Sequence, residues 1–263
     1  MTIAIIGAGV MGEALLSGLL RSGRAPEDLL IGERRSDRAA ELTDRYGVKV
    51  VSNLEAAGAD TVLLMVKPQD MSAVLGDIAP ALGPGQLLIS VAAGITTGFI
   101  ESHVPDGVSV VRVMPNTPVL VDQGMSALAA GSHCTEDQLN LASDLLASTG
   151  SVVQVPEHQL DAVTAVSGSG PAYIFYVVEA MIEAGVHLGL PRTTATELVI
   201  QTLVGSAAML RETGEHPTVL REQVTSPAGT TAAALRELDD HKVRAAFIAA
   251  MGAARSRSAE LGQ

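Results

Sequence analysis

The sequence predicts an α/β chain: a doubly wound sheet at the N-terminal end, followed by an all-helical domain. Three observations carry this. An apolar, β-branched run, Thr2–Ile6, leads directly into the glycine turn Gly7-Ala8-Gly9-Val10-Met11-Gly12 and then a helical pattern. Short apolar runs go on alternating with helical patterns as far as Pro156. Beyond that point the strand rhythm stops.

Strands are predicted near Ile3–Ile6, Leu29–Ile31, Lys49–Val51, Thr61–Val66, Leu87–Val91 and Val108–Arg112. Each is a short apolar run bounded by turn residues, the mark of a strand buried on both faces. Helices are predicted over Val10–Ser22 and Asp37–Tyr46. Two further strands, Gly124–Ala130 and Val152–Val155, flank a helix at Thr135–Ser148. After Pro156 come helical patterns at Leu160–Val166, Ala172–Leu188, Arg192–Glu212, Val219–Val224, Thr230–Leu238 and Lys242–Glu260. A boundary at Pro156 to His158 divides the chain into domains 1–157 and 158–263.

The glycine turn carries the first chemistry. Gly7 permits a tight turn, Gly9 lets the backbone approach a pyrophosphate, and Gly12 lets helix and strand pack closely. With Ala8, Val10 and Met11 between them, these residues predict a dinucleotide site of the Rossmann type. After the second strand, Glu33 suits the ribose hydroxyls. Arg34, Arg35, Ser36 and Arg38 follow at once, and guanidinium forks suit a 2′-phosphate. NADPH is therefore expected over NADH, because two adjacent guanidiniums otherwise only repel each other. Glu33 keeps NADH open.

Four further positions stand where the strand ends meet a cofactor. Asn53 follows the third strand, Val66-Lys67-Pro68 close the fourth, and Val91-Ala92-Ala93-Gly94 the fifth. Met114-Pro115-Asn116-Thr117-Pro118 closes the sixth, its two prolines fixing the direction of the Asn116 amide. Far along the chain, Ser226-Pro227-Ala228-Gly229-Thr230-Thr231 runs into a helix whose first turn bears no bulky side chain. Unpaired N–H groups with hydroxyls beside them predict a site for a small anion.

Composition excludes other classes. A net charge of −12, with no run of basic residues, argues against nucleic-acid or anionic-membrane partners. Cys134 is the only cysteine and the six histidines lack ligand spacing, so neither disulfides nor a metal site is expected. The chain starts on a strand rather than a leader pattern and shows no uninterrupted apolar run of membrane length, so a cytoplasmic enzyme is expected. Aromatic residues are scarce, which leaves Ala, Val, Leu and Ile to form the core. The patterns at Ala172–Leu188 and Arg192–Leu210 are apolar almost all round. So small a domain cannot bury two such helices alone, so an obligate homodimer is expected, with assembly into a larger ring left open.

The glycine turn, Val66–Pro68, Met114–Pro118, Ser167-Gly168-Ser169-Gly170-Pro171-Ala172-Tyr173, Gly214-Glu215-His216-Pro217 and Ser226–Thr231 occur in this order. Together they resemble the pyrroline-5-carboxylate reductases over essentially the whole chain. Two departures stand out: Glu33-Arg34-Arg35 where an Asn-Arg pair is frequent, and Ala228 where Gly is usual, a change that adds only a methyl. The resemblance implies NAD(P)H-dependent reduction of the C=N bond of 1-pyrroline-5-carboxylate to L-proline, the last step of proline biosynthesis. It implies that Ser226, Gly229, Thr230 and Thr231 hold the substrate carboxylate. It also places the Thr231 hydroxyl nearest the ring nitrogen, with Glu215 close by, as the catalytic pair. Hydride transfer to a protonated imine needs no metal. Two other readings are a β-hydroxyacid or 6-phosphogluconate-type dehydrogenase and a non-catalytic NADP(H)-sensing protein. The first resembles enzymes with a lysine on a helix just past the domain boundary. Here only Lys49, Lys67 and Lys242 exist.

Overall fold

A computed structural model describes residues 1–262. Eight strands form one sheet: β1 (Ile3–Ile6), β2 (Leu29–Gly32), β3 (Lys49–Val51), β4 (Thr61–Leu64), β5 (Leu87–Ser90), β6 (Ser109–Met114), β7 (Gly124–Ala130) and β8 (Gly150–Gln154). Their spatial order is β3-β2-β1-β4-β5-β6-β7-β8. All neighbours pair in parallel except β6 with β7, where Val111 faces Ala130. The chain leaves β1 for one side and returns at β4 on the other, so the loop after β1 lies at the switch point where open α/β sheets bind ligands.

Six helices sheathe this sheet: α1 (Val10–Arg21), α2 (Ser36–Tyr46), α3 (Asn53–Ala56), α4 (Met71–Ile78), α5 (Thr97–Glu101) and α6 (Glu136–Ala147). Alternation along the strands decides which helix meets which face. Ile3, Ile5, Leu63 and Ile89 pack with Leu15, Leu16 and Leu19 of α1 and Leu145 of α6. Ala4, Ile6, Val62 and Leu64 point the other way, onto Met71, Val74 and Leu75 of α4 and Ile100 of α5. Both layers are predominantly apolar, with Thr61, Ser90, Ser109 and Arg112 the buried polar residues of β4 to β6. Helix α6 begins on a capping box, in which Thr135 and Gln138 exchange hydrogen bonds.

After β8 follow α7 (Leu160–Val163), which continues as one wide turn over Thr164–Gly168, α8 (Gly170–His187), α9 (Arg192–Thr213), α10 (Pro217–Gln223), α11 (Thr230–Asp240) and α12 (Val243–Leu261). The chain divides into two compact units. One holds residues 1–171 together with the residues from Ala254 onward, and the other holds 172–253. Within the first, Ser258 Oγ donates to Asp161 Oδ1 at 2.7 Å. There too, Gly94 lies at φ +78° so close to the Leu261 carbonyl that a Cβ would come within 2.8 Å of it.

In the second unit α8 and α9 form a hairpin turned at Gly189, which takes φ +96°. Gly185 lets them approach, since a Cβ there would stand 3.0 Å from the Ala195 methyl. As expected of a domain too small to bury two such helices alone, the single chain leaves them largely uncovered. No residue of α8 is buried; Phe175 is 66% exposed and Tyr176 74%. By length and composition the helical run Glu157–His187 is apolar enough to cross a membrane, although it is not the uninterrupted apolar stretch that the sequence was expected to lack. Acidic residues interrupt it, Glu179 and Glu183 among them.

Candidate active site

The glycine turn is built by close contacts rather than by flexibility. Gly7 sits at φ +94°, where a Cβ would also come within 2.8 Å of the Met65 carbonyl, and its N–H donates to Gly32 O. A Cβ on Gly12 would collide with the Gly7 carbonyl at 2.5 Å. Gly9, by contrast, faces open space: nothing lies within 4 Å of its virtual Cβ. Gly9 precedes α1 with no side-chain cap, and Val10 is exposed, so the first-turn N–H groups are left to an external acceptor. Ala8 is buried beneath them.

A carboxylate the sequence reading overlooked braces this turn. Glu13, in the first turn of α1, accepts from Arg45 Nη1 at 2.7 Å, from the Tyr46 hydroxyl at 2.8 Å and from Arg38 Nη2. The Arg38 bond is the main reason its carboxyl lies below the usual range, with the Tyr46 and Arg45 bonds adding to it against the opposing effect of burial. Arg38 in turn donates to Glu41 and, through Nε, to the Ala8 carbonyl at 3.2 Å. So Arg38, grouped by sequence with arginines suited to a 2′-phosphate, holds the glycine turn instead. The available signal was an acid at a helix N-terminus with two arginines two turns of α2 apart.

Beside the turn lies an open cleft of about 760 Å³, lined by Glu33, Arg34, Ala39, Val51, Asn53 and Asp77 among others. Asn53 begins α3, whose Ser52 cap accepts from Glu55 N–H, and its Oδ1 lies against Gly32, where a Cβ would come within 2.7 Å. Glu33 Oε1 accepts from the Arg35 backbone N–H at 3.0 Å, with Arg35 Nε at 3.6 Å. Arg34 Nη2 donates to Asp77 Oδ2 at 2.9 Å. Each arginine thus has a carboxylate of its own. The argument that mutual repulsion demands a phosphate fails, because Asp77 arrives from α4, forty-three residues away.

The other strand-end loops converge as the topology requires. Met11, Met65, Val91 and Pro115 line one small cavity of about 20 Å³, which joins the glycine turn to the ends of β4, β5 and β6. Val66 is half-buried, while Lys67 and Pro68 are exposed where a single helical turn begins. Ala92 is buried, its N–H donating to Ser90 Oγ. Asn116 Nδ2 donates to the Ser167 carbonyl at 3.1 Å and its Oδ1 accepts from Met125 N–H at 2.8 Å. The amide thereby ties the β6–β7 loop to the Ser167–Gly170 segment and keeps one N–H in reserve.

In the second unit, Ser226–Thr231 makes a tight turn into α11. Gly229 donates its N–H to the Ser226 carbonyl at 3.0 Å, and a Cβ on Gly229 would strike Ser226 Oγ at 2.3 Å. Gly229 is the N-cap, and no side chain caps the helix, so the N–H groups at Thr230 and Thr231 are unclaimed. Ala228 takes φ +57°. The sequence reading treated it as one added methyl; at this φ it is also a strained residue, because Cβ crowds its own carbonyl. Glu215 follows Gly214, the left-handed residue ending α9, and accepts from Gln223 Nε2 at 3.0 Å. His216 caps α10 through Nδ1.

Comparison with known proteins decides the family. A pyrroline-5-carboxylate reductase from Corynebacterium melassecola is 47% identical over 267 aligned residues, covering 100% of this chain and 99% of that one. The chain belongs to the pyrroline-5-carboxylate reductase family. The family model described as pyrroline-5-carboxylate reductase dimerisation matches residues 157–261, which include the apolar run of membrane length. A second, described as NADP oxidoreductase coenzyme F420-dependent, matches residues 2–94. Among solved structures, the pyrroline-5-carboxylate reductase of Coxiella burnetii superposes with a TM-score of 0.96 at 38% identity, covering 100% of this chain and 98% of that one. The Plasmodium falciparum pyrroline carboxylate reductase, solved with NADP bound, gives 0.88 at 30% identity with the same coverage. The rival dehydrogenase reading finds no place beside these full-length matches.

Proposed function

We propose a division of labour in which residues 1–157 present the reduced dinucleotide and residues 158–263 hold the substrate and join two copies of the chain. The chain is an oxidoreductase of proline biosynthesis, reducing the C=N bond of 1-pyrroline-5-carboxylate with NAD(P)H. The single observation that carries this is the match over the whole chain to reductases of that name. The residues fit the cofactor: Gly9 leaves room for a pyrophosphate where the α1 N–H groups point outward, and the cleft at Glu33 suits an adenosine. When bound, the reduced nicotinamide supplies the hydride.

The chain's own residues do the rest. The first turn of α1 holds the pyrophosphate, Glu33 and Asn53 the adenosine side, and Arg34 and Arg35 a 2′-phosphate, which favours NADPH. Val66, Lys67, Pro68, Ala92 and Asn116 border the nicotinamide. The backbone N–H groups of Thr230 and Thr231 and the hydroxyls of Ser226 and Thr230 grip the substrate carboxylate, on the turn that Gly229 shapes. Thr231 donates its hydroxyl to the imine nitrogen, and Glu215 steadies the charge there. Fixing the ring by its carboxylate turns hydride transfer into an effectively unimolecular step. Two copies pair through α8 and α9 as an obligate homodimer, and further pairing into a ring is an extension of the same reading. We place its work in the cytoplasm.

A spectrophotometric assay tests the reading. NADPH oxidation with pyrroline-5-carboxylate, and none with a panel of hydroxyacids, supports it. Turnover on the hydroxyacids alone would return the dehydrogenase reading. NADPH binding without any turnover would return the sensor.

A further inference from the structure

Asp77 lines the adenosine cleft, yet nothing in the family's motifs includes it. It stands one residue from the end of α4, where the helix dipole disfavours an anion, so its charge does not serve the helix. Its carboxylate holds Arg34 at 2.9 Å, both side chains being largely exposed. The helix residues that face inward, Met71, Val74, Leu75 and Ile78, are apolar and buried, and Asp77 is not among them.

We propose that Asp77 is a specificity-determining residue that weighs against the 2′-phosphate and so sets how strongly NADPH is preferred over NADH. The proposal rests on the reading that Arg34 receives that phosphate. A guanidinium engaged by Asp77 must be released or shared when a phosphate arrives, and the phosphate then stands beside the carboxylate as a like charge. NADH places a neutral hydroxyl there and meets neither cost.

The test is fluorescence titration of the full-length protein with NADPH and with NADH, in wild type, Asp77→Asn, Arg34→Ala and the double variant. Asp77→Asn keeps the side chain's size and removes the charge at an exposed site, so folding is unaffected. It is expected to tighten NADPH by about two- to fivefold, the scale of exposed charge pairs, while NADH changes less than about 1.5-fold. The gain should shrink in roughly 0.5 M salt, where exposed charges are screened. It should vanish in the Arg34→Ala background. If Arg34→Ala weakens NADPH and Asp77→Asn does nothing, this proposal falls alone. If Arg34→Ala leaves NADPH untouched, the phosphate reading and this proposal fall together. If Asp77→Asn weakens NADH, Asp77 is a ribose acceptor and the proposal is overturned.

Discussion

Ala228 shows how much a single backbone angle matters. Its φ of +57° lies in the left-handed region, at a cost to an L-residue of about 1–2 kcal/mol, in the turn proposed to grip the substrate. Replacing it with Gly relieves the strain but frees the unfolded chain, so the net gain is about 0.5–1 kcal/mol. Ala228→Gly should therefore raise the thermal midpoint by about 1–3 °C in calorimetry. No change, or a fall, would mean the turn holds Ala without strain. At the next helix start, Thr231→Val keeps shape and removes the hydroxyl. Turnover should drop by about 1–3 kcal/mol in barrier with NADPH affinity unchanged, and Thr231→Ala should be no better. Full turnover in Thr231→Val would confine the segment to carboxylate binding. The residue types at these positions were legible in the sequence. The φ that strains one of them was not, since no local pattern encodes a backbone angle that the family usually gives to Gly.

Helices and strands depend on partners distant in sequence, and two carboxylates show it. Glu13 links α1 to α2 and, through Arg38, to the Ala8 carbonyl. Because its folded pKa is lowered, its contribution is full above the usual carboxylate range and is lost as pH falls through the lowered value. Urea midpoints of wild type and Glu13→Gln should differ at pH 7 and converge in acid. A constant gap would show that packing, not charge, is what Glu13 supplies. Glu157 accepts from the Thr97 N–H and hydroxyl, both at 2.7 Å, and from Arg112 on β6, which is only 7% exposed. Glu157→Gln leaves that guanidinium without its anion and should destabilise by about 1–3 kcal/mol in denaturant titration. A neutral result would mean that water reaches Arg112. The eight strands were readable because each is a short apolar run with turn residues at its ends. The short helices α3, α4 and α5 escaped because four to eight residues carry too little periodicity. Asp77 and Glu13 escaped because their partners are set by the fold.

Across the whole molecule, the exposed apolar faces of α8 and α9 give the dimerisation domain its meaning. A substitution at a position as exposed as Phe175 would barely affect a lone chain. In an obligate dimer Phe175→Glu should abolish the folded species, leaving aggregate or unfolded chain in sedimentation velocity. A folded, active monomer would end the obligate-dimer reading. Sequence reasoning anticipated the partner from all-round apolarity, because a domain this small cannot cover both helices by itself.

The first unit is discontinuous: its last piece, from Ala254 onward, is made only after the intervening helices. A ribosome therefore releases all eight strands well before the piece that lies on Gly94 and Asp161 exists. The nascent sheet waits with that flank bare, and a protease has its opening during the wait. Chains stopped after Ala253 should keep the far-ultraviolet signature of the sheet yet be nicked early between Ala92 and Ile95. Equal resistance to nicking would mean that synthesis leaves no such interval of vulnerability.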